Sequence, residues 1–81
     1  MTAPKVVKTF QYFRIEEDGE FKGHPCYRIV NKKAGNDIGT IGWYLPWRRF
    51  ILSPEIATAW SSDCLENIVG FLKELNKESK P

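Results

Sequence analysis

Hydrophobic and polar positions divide this chain into an alternating, strand-like first part and a last third with helical spacing. Val6 to Glu17 (VVKTFQYFRIEE) is rich in β-branched and aromatic residues and reads as a first strand that Asp18-Gly19 closes. Glu20 to Pro25 reads as a loop or irregular hairpin connection, and Cys26 to Asn31 (CYRIVN) as a second strand. Turn formers concentrate in Lys32 to Asp37, after which Ile38 to Tyr44 and Trp47 to Ser53 supply a third and a fourth strand.

Pro46 holds Leu45 extended and is incompatible with the primed two-residue turns, so a type VI turn or a four-residue loop joins the last two strands. The expected register sets Trp43 opposite Arg48, Ile41 opposite Phe50 and Gly39 opposite Leu52. One face then carries Ile41, Trp43, Phe50 and Leu52 with Arg48 at its edge. The other carries Thr40, Tyr44, Trp47, Arg49 and Ile51.

Ser61 has the features of a helix N-cap, with Asp63 in the first turn and Trp60 spaced from Leu65 as in a hydrophobic staple. Leu65, Ile68, Val69, Leu72 and Leu75, widened by Cys64 and Phe71, form an apolar stripe opposite Glu66, Asn67, Lys73, Glu74 and Lys77. The expected fold is α+β: an antiparallel meander of three to four strands with one C-terminal helix packed on one face. It forms a single domain over 1–81, with mobile ends at 1–5 and 77–81.

Composition narrows the chemistry. A net charge of +2 gives no global field to attract nucleic acid or acidic membrane, so any electrostatic role rests on local clusters. No apolar run is long enough to span a membrane, and Met1 to Lys5 lacks the apolar stretch of a signal peptide, so the expected location is cytoplasmic. In a reducing compartment Cys26 and Cys64 are expected as buried free thiols.

His24, Cys26 and Cys64 offer too few ligands at useful spacing for zinc, and His24 with Cys26 gives no oriented base and nucleophile. The carboxylates Glu16, Glu17, Asp18 and Glu20 cluster where a turn is expected, and read as solvated. Gly35, Gly39 and Gly42 make no phosphate-binding fingerprint. No catalytic residue, metal or cofactor is expected.

The most distinctive segment is Gly42 to Phe50 (GWYLPWRRF), which brings three large aromatics, two arginines and a proline corner together. Aromatic and arginine side chains dominate recognition hot spots, so the candidate binding residues are Tyr44, Trp47, Arg48 and Arg49. With Arg28, Lys32 and Lys33 near the same sheet they would also suit phosphate contact and base stacking.

That segment, followed by Ser53-Pro54-Glu55, Thr58, Trp60-Ser61, Cys64-Leu65, Ile68, Phe71-Leu72 and Leu75-Asn76, resembles small uncharacterised proteins of bacteriophage and prophage genomes. The resemblance covers roughly the C-terminal half. It implies an accessory protein in a host-cell cytoplasm that binds a host protein, a defence system among the targets. Two alternatives stand beside this one. Three antiparallel strands with a packed helix resemble the sheet-reading DNA-binding domains of plant transcription factors and phage integrases, which implies nucleic-acid binding by the open face. A cyclic-nucleotide sponge with pockets between subunits is the other. Apolar content on both faces further predicts a homo-oligomer or a partner over the open face.

Overall fold

The computed structural model describes residues 5–78. Strands β1 (Lys5–Thr9), β2 (Phe13–Phe21), β3 (His24–Asn31), β4 (Asp37–Tyr44) and β5 (Arg49–Pro54) precede one helix, α1 (Ser62–Glu78). Strands adjacent in sequence are adjacent in the sheet, in the order β1-β2-β3-β4-β5, and all pairings are antiparallel. This is the expected α+β meander with a C-terminal helix, enlarged by one strand. The expected mobile ends 1–4 and 79–81 lie outside the described residues, whereas Lys5 pairs with Glu17 and Lys77 and Glu78 complete α1.

The additional strand arises because the run from Val6 to Glu17 folds back at Phe10–Tyr12 instead of continuing. Phe10 N–H donates to the Phe13 carbonyl at 2.8 Å, closing the turn. Lys32 then ties this turn to the β3–β4 connection: its backbone N–H donates to the Tyr12 carbonyl and its Nζ to the Phe10 carbonyl, each at 3.0 Å. No glycine, proline or asparagine marks the bend, so its signal lies in residues far along the chain.

Nor does Asp18-Gly19 end β2. The strand continues to Phe21 through an irregularity between Glu17 and Glu20, where Gly19 adopts φ +82°. The reversal comes at Lys22-Gly23, whose φ values of 52° and 82° suit the tight two-residue hairpin that matches strand twist.

Between β4 and β5 the register is Tyr44↔Arg49, Trp43↔Phe50, Ile41↔Leu52 and Gly39↔Pro54. This corrects the expected pairing of Trp43 with Arg48, Ile41 with Phe50 and Gly39 with Leu52. A four-residue loop does form, and it sets the partners two positions further along β5. Because side chains alternate with period two, that shift keeps Ile41, Trp43, Phe50 and Leu52 on one face.

This face is the core. Phe13, Ile15, Tyr27, Ile29, Ile41, Phe50, Ile68 and Phe71 are buried together, with Tyr27 and Phe71 edge to face at 5.2 Å. Gly39 makes room for the helix entry: a Cβ there would lie 3.3 Å from both Trp60 Cζ2 and the Ser53 carbonyl oxygen. Trp60 Nε1 donates to Thr58 Oγ1 at 2.9 Å and the Thr58 hydroxyl to the Glu55 carbonyl at 2.8 Å, so the indole is seated with its polar atom satisfied.

Helix α1 starts as expected. Ser61 Oγ accepts from Cys64 N–H at 3.2 Å, the bond that defines an N-cap. The buried arc of the helix is narrower than the apolar stripe: Ile68 and Phe71 are buried, Cys64, Leu72 and Leu75 pack at the core margin, and Leu65 and Val69 are exposed. Trp60 is turned onto Gly39 and Phe13, while Leu65, its expected staple partner, faces solvent. Among the described residues, no helix is long and apolar enough to cross a membrane.

Candidate recognition surface

The four residues singled out in the sequence all sit at the β4–β5 connection. Leu45–Trp47 forms a single 3₁₀ turn with Pro46 near its start, where a missing N–H costs nothing. Arg48 closes the turn in the left-handed region, at φ 52° and ψ 50°, and its N–H donates to the Leu45 carbonyl at 3.1 Å. That reversal starts β5 at Arg49 and leaves Trp47 outside the sheet, which corrects the expected strand start at Trp47 and the placing of Trp47 on a sheet face. Arg48 is likewise a turn residue rather than the edge of the core face.

The turn holds its aromatics outward. Tyr44 and Trp47 meet edge to face with ring centroids 5.0 Å apart, and Arg49 Nε donates to the Trp47 carbonyl at 3.4 Å. Trp47 is 63% exposed, Leu45 58% and Tyr44 38%, and helix α1 lies on the other face of the sheet. Neither Arg48 nor Arg49 takes part in an ion pair among the described residues. The structure thus brings Tyr44, Trp47, Arg48 and Arg49 into one exposed knuckle and adds Leu45, which the sequence reading passed over.

The hairpin tip at Lys22-Gly23 lies at the same end of the meander, two strand spacings or roughly 10 Å away. There Phe21 is exposed, and Lys22 Nζ stands 5.4 Å from the centre of its ring. This end of the sheet therefore carries two aromatic and cationic clusters. The Lys-Gly pair was the available signal, since it marks the tip of a hairpin and the residues beside a tip are exposed.

The open face behind the knuckle has a different character. Glu16, expected to be solvated with its acidic neighbours, is only 5% exposed. Arg14 Nε and Arg28 Nη2 both donate to it, the latter at 2.9 Å, and Arg28 Nη1 also approaches Asp37 Oδ1 at 3.7 Å. The hydrogen bonds from Arg28 and then Arg14 hold the Glu16 carboxyl below the usual carboxylate range. Strand alternation explains why the sequence concealed this: Arg14 and Glu16 share a face at i and i+2, and Arg28 is the register partner of Glu16 across β2–β3. Next to this network Cys26, Thr40, Gly42, Tyr44 and Ile51 border a shallow hollow of about 360 Å³.

His24 lies within β3 rather than in a loop, stacked on Trp43 with ring centroids 4.1 Å apart and planes 8° from parallel. Its ring thereby extends the core face. Cys26 and Cys64 are free but half-buried rather than buried, one on the open face and one on the helix over the core. Among the described residues, no three His, Cys, Asp or Glu side chains gather as metal ligands. Compared with protein-family models, with curated proteins and with solved structures, the chain gives no match.

Proposed function

We propose that this protein is a non-enzymatic accessory protein of phage or prophage origin that binds a host protein, a defence component being the expected target, through the knuckle of Tyr44, Leu45, Trp47, Arg48 and Arg49. What carries the reading is the exposure of Trp47 beside two arginines that enter no ion pair among the described residues, on a turn closed by the hydrogen bond from Arg48 N–H to the Leu45 carbonyl. Exposing a tryptophan and a leucine brings no folding stability, whereas a rigid aromatic next to guanidinium groups supplies contact area and directed hydrogen bonds at small entropic cost.

A protein partner is favoured over nucleic acid by the charge arrangement on the open face. Arg14 and Arg28, which would have to meet phosphates there, are engaged by Glu16 and Asp37. Site-specific crosslinking tests the proposal. With a photoreactive phenylalanine analogue at position 47, irradiation in bacterial lysate is expected to give a discrete crosslinked protein that resists nuclease. A product that disappears on nuclease treatment would transfer the knuckle to nucleic-acid binding.

A further inference from the structure

The opposite end of the sheet carries a second feature, which involves none of the knuckle residues. Two hollows, of about 450 and 460 Å³, adjoin there and share Tyr12 and Asn31 as a common wall. The first is edged by Gln11, Lys32 and Lys33; the second by Ile38, Trp60 and Cys64. Tyr12, between them, is 58% exposed.

We propose that these paired hollows bind a nucleoside phosphate, the base beside Tyr12 in the apolar hollow and the phosphate at Lys32 and Lys33. Each hollow is within the size range of small-ligand sites. The pair offers what the two halves of such a ligand need, a ring with an adjoining apolar recess and a two-lysine cradle. The lysines are not neutralised, since neither enters an ion pair among the described residues, and Asp37, four residues beyond Lys33, is turned to Arg28.

The turn that carries the two lysines is also tied down. Lys32 joins the two turns through its backbone N–H and its Nζ, which keeps two further protons to donate. Asn31 Oδ1 accepts from the backbone N–H groups of Lys33 and Ala34, each at 2.9 Å, which sets the direction in which Lys33 leaves the turn. The turn backbone and the Lys32 head are thus held before a ligand arrives, which lowers that part of the ordering cost.

Titration of the protein with adenosine monophosphate, followed by amide and indole NMR shifts, tests the proposal. Saturable shifts are expected at Gln11, Tyr12, Lys33 and the Trp60 indole together. Tyr12→Ala is expected to weaken binding roughly tenfold through lost stacking, with Tyr12→Phe restoring it, and Lys33→Glu to weaken it by at least about tenfold. Absence of saturable shifts at millimolar nucleotide would overturn the proposal. So would identical shifts with inorganic phosphate alone, which would indicate a simple anion site, or a response to decanoate but not to the nucleotide. None of these outcomes involves the knuckle, so failure here leaves the partner-binding reading standing.

Discussion

The side chain of Asn76 holds both backbone polar groups of Phe50: its Oδ1 accepts from the Phe50 N–H at 2.7 Å and its Nδ2 donates to the Phe50 carbonyl at 3.3 Å. Phe50 belongs to β5, an edge of the sheet, where such groups otherwise invite pairing with another chain. Pro54, at the far end of the same strand, has no N–H to offer. The other edge, β1, carries Lys5 and Lys8 and a bulge between Val6 and Lys8. Both edges thus carry features that discourage strand pairing with another chain.

Asn76→Ala should therefore act in two ways. Loss of the two hydrogen bonds is expected to lower stability by about 1–2 kcal/mol in urea unfolding. The freed edge is expected to raise the apparent mass in light scattering with increasing concentration. An unchanged mass would show that the clamp serves stability alone.

Gly39→Ala tests the seat of Trp60. A Cβ there falls 3.3 Å from Trp60 Cζ2 and from a strand carbonyl, so the indole has to move. The crowding is expected to outweigh the entropy gained from removing a glycine, for a net loss of about 1 kcal/mol. A change in tryptophan fluorescence should accompany it. Restoration of stability by Trp60→Leu in the same chain would identify the indole as the group displaced.

Ser61→Ala removes the acceptor for the Cys64 N–H. A loss of about 1 kcal/mol in chemical unfolding is expected, with Ser61→Asp close to the original protein. Equal destabilisation by both substitutions would contradict the capping role.

The Glu16 network gives the pH dependence a definite sign. Because the folded carboxyl titrates below its unfolded value, its stabilisation is present above the unfolded pKa and is lost as pH falls through the folded one. Stability measured by denaturant unfolding is expected to fall on acidification below the ordinary carboxylate range, and to fall less steeply in Glu16→Gln. At neutral pH the variant is expected to be the less stable, since Arg14 loses its counter-charge and Arg28 keeps only the more distant Asp37. Parallel pH profiles would assign the acid loss to other carboxylates.

What the sequence disclosed and what it concealed follow the range of the interactions. The helix start was legible because Ser61 and Asp63 act within one turn. The inner face of β4 and β5 was legible because Ile41, Trp43, Phe50 and Leu52 recur at every second position, and a shift of two leaves that parity unchanged. The bend at Phe10–Tyr12 was not, since Lys32 secures it from 22 residues away. The β4–β5 register was misplaced by two because the four-residue loop runs from Leu45 to the left-handed Arg48, which leaves Tyr44 within β4 paired with Arg49. Burial of Glu16 depended on the cross-strand position of Arg28. That Tyr44, Trp47, Arg48 and Arg49 lie together was legible for the same local reason as the helix start: Tyr44 to Arg49 are brought together by one short turn.

The central claim is that the exposed aromatic and arginine turn is a contact surface, and affinity capture from nuclease-treated host lysate with the original chain and Trp47→Ala in parallel tests it most directly. At 63% exposure Trp47 contributes little to the core, so the variant is expected to unfold within about 0.5 kcal/mol of the original. Binding is expected to drop by at least about tenfold, the loss typical of a hot-spot tryptophan. A host protein retained by the original chain and lost in Trp47→Ala is the expected result; equal retention by both would contradict the claim.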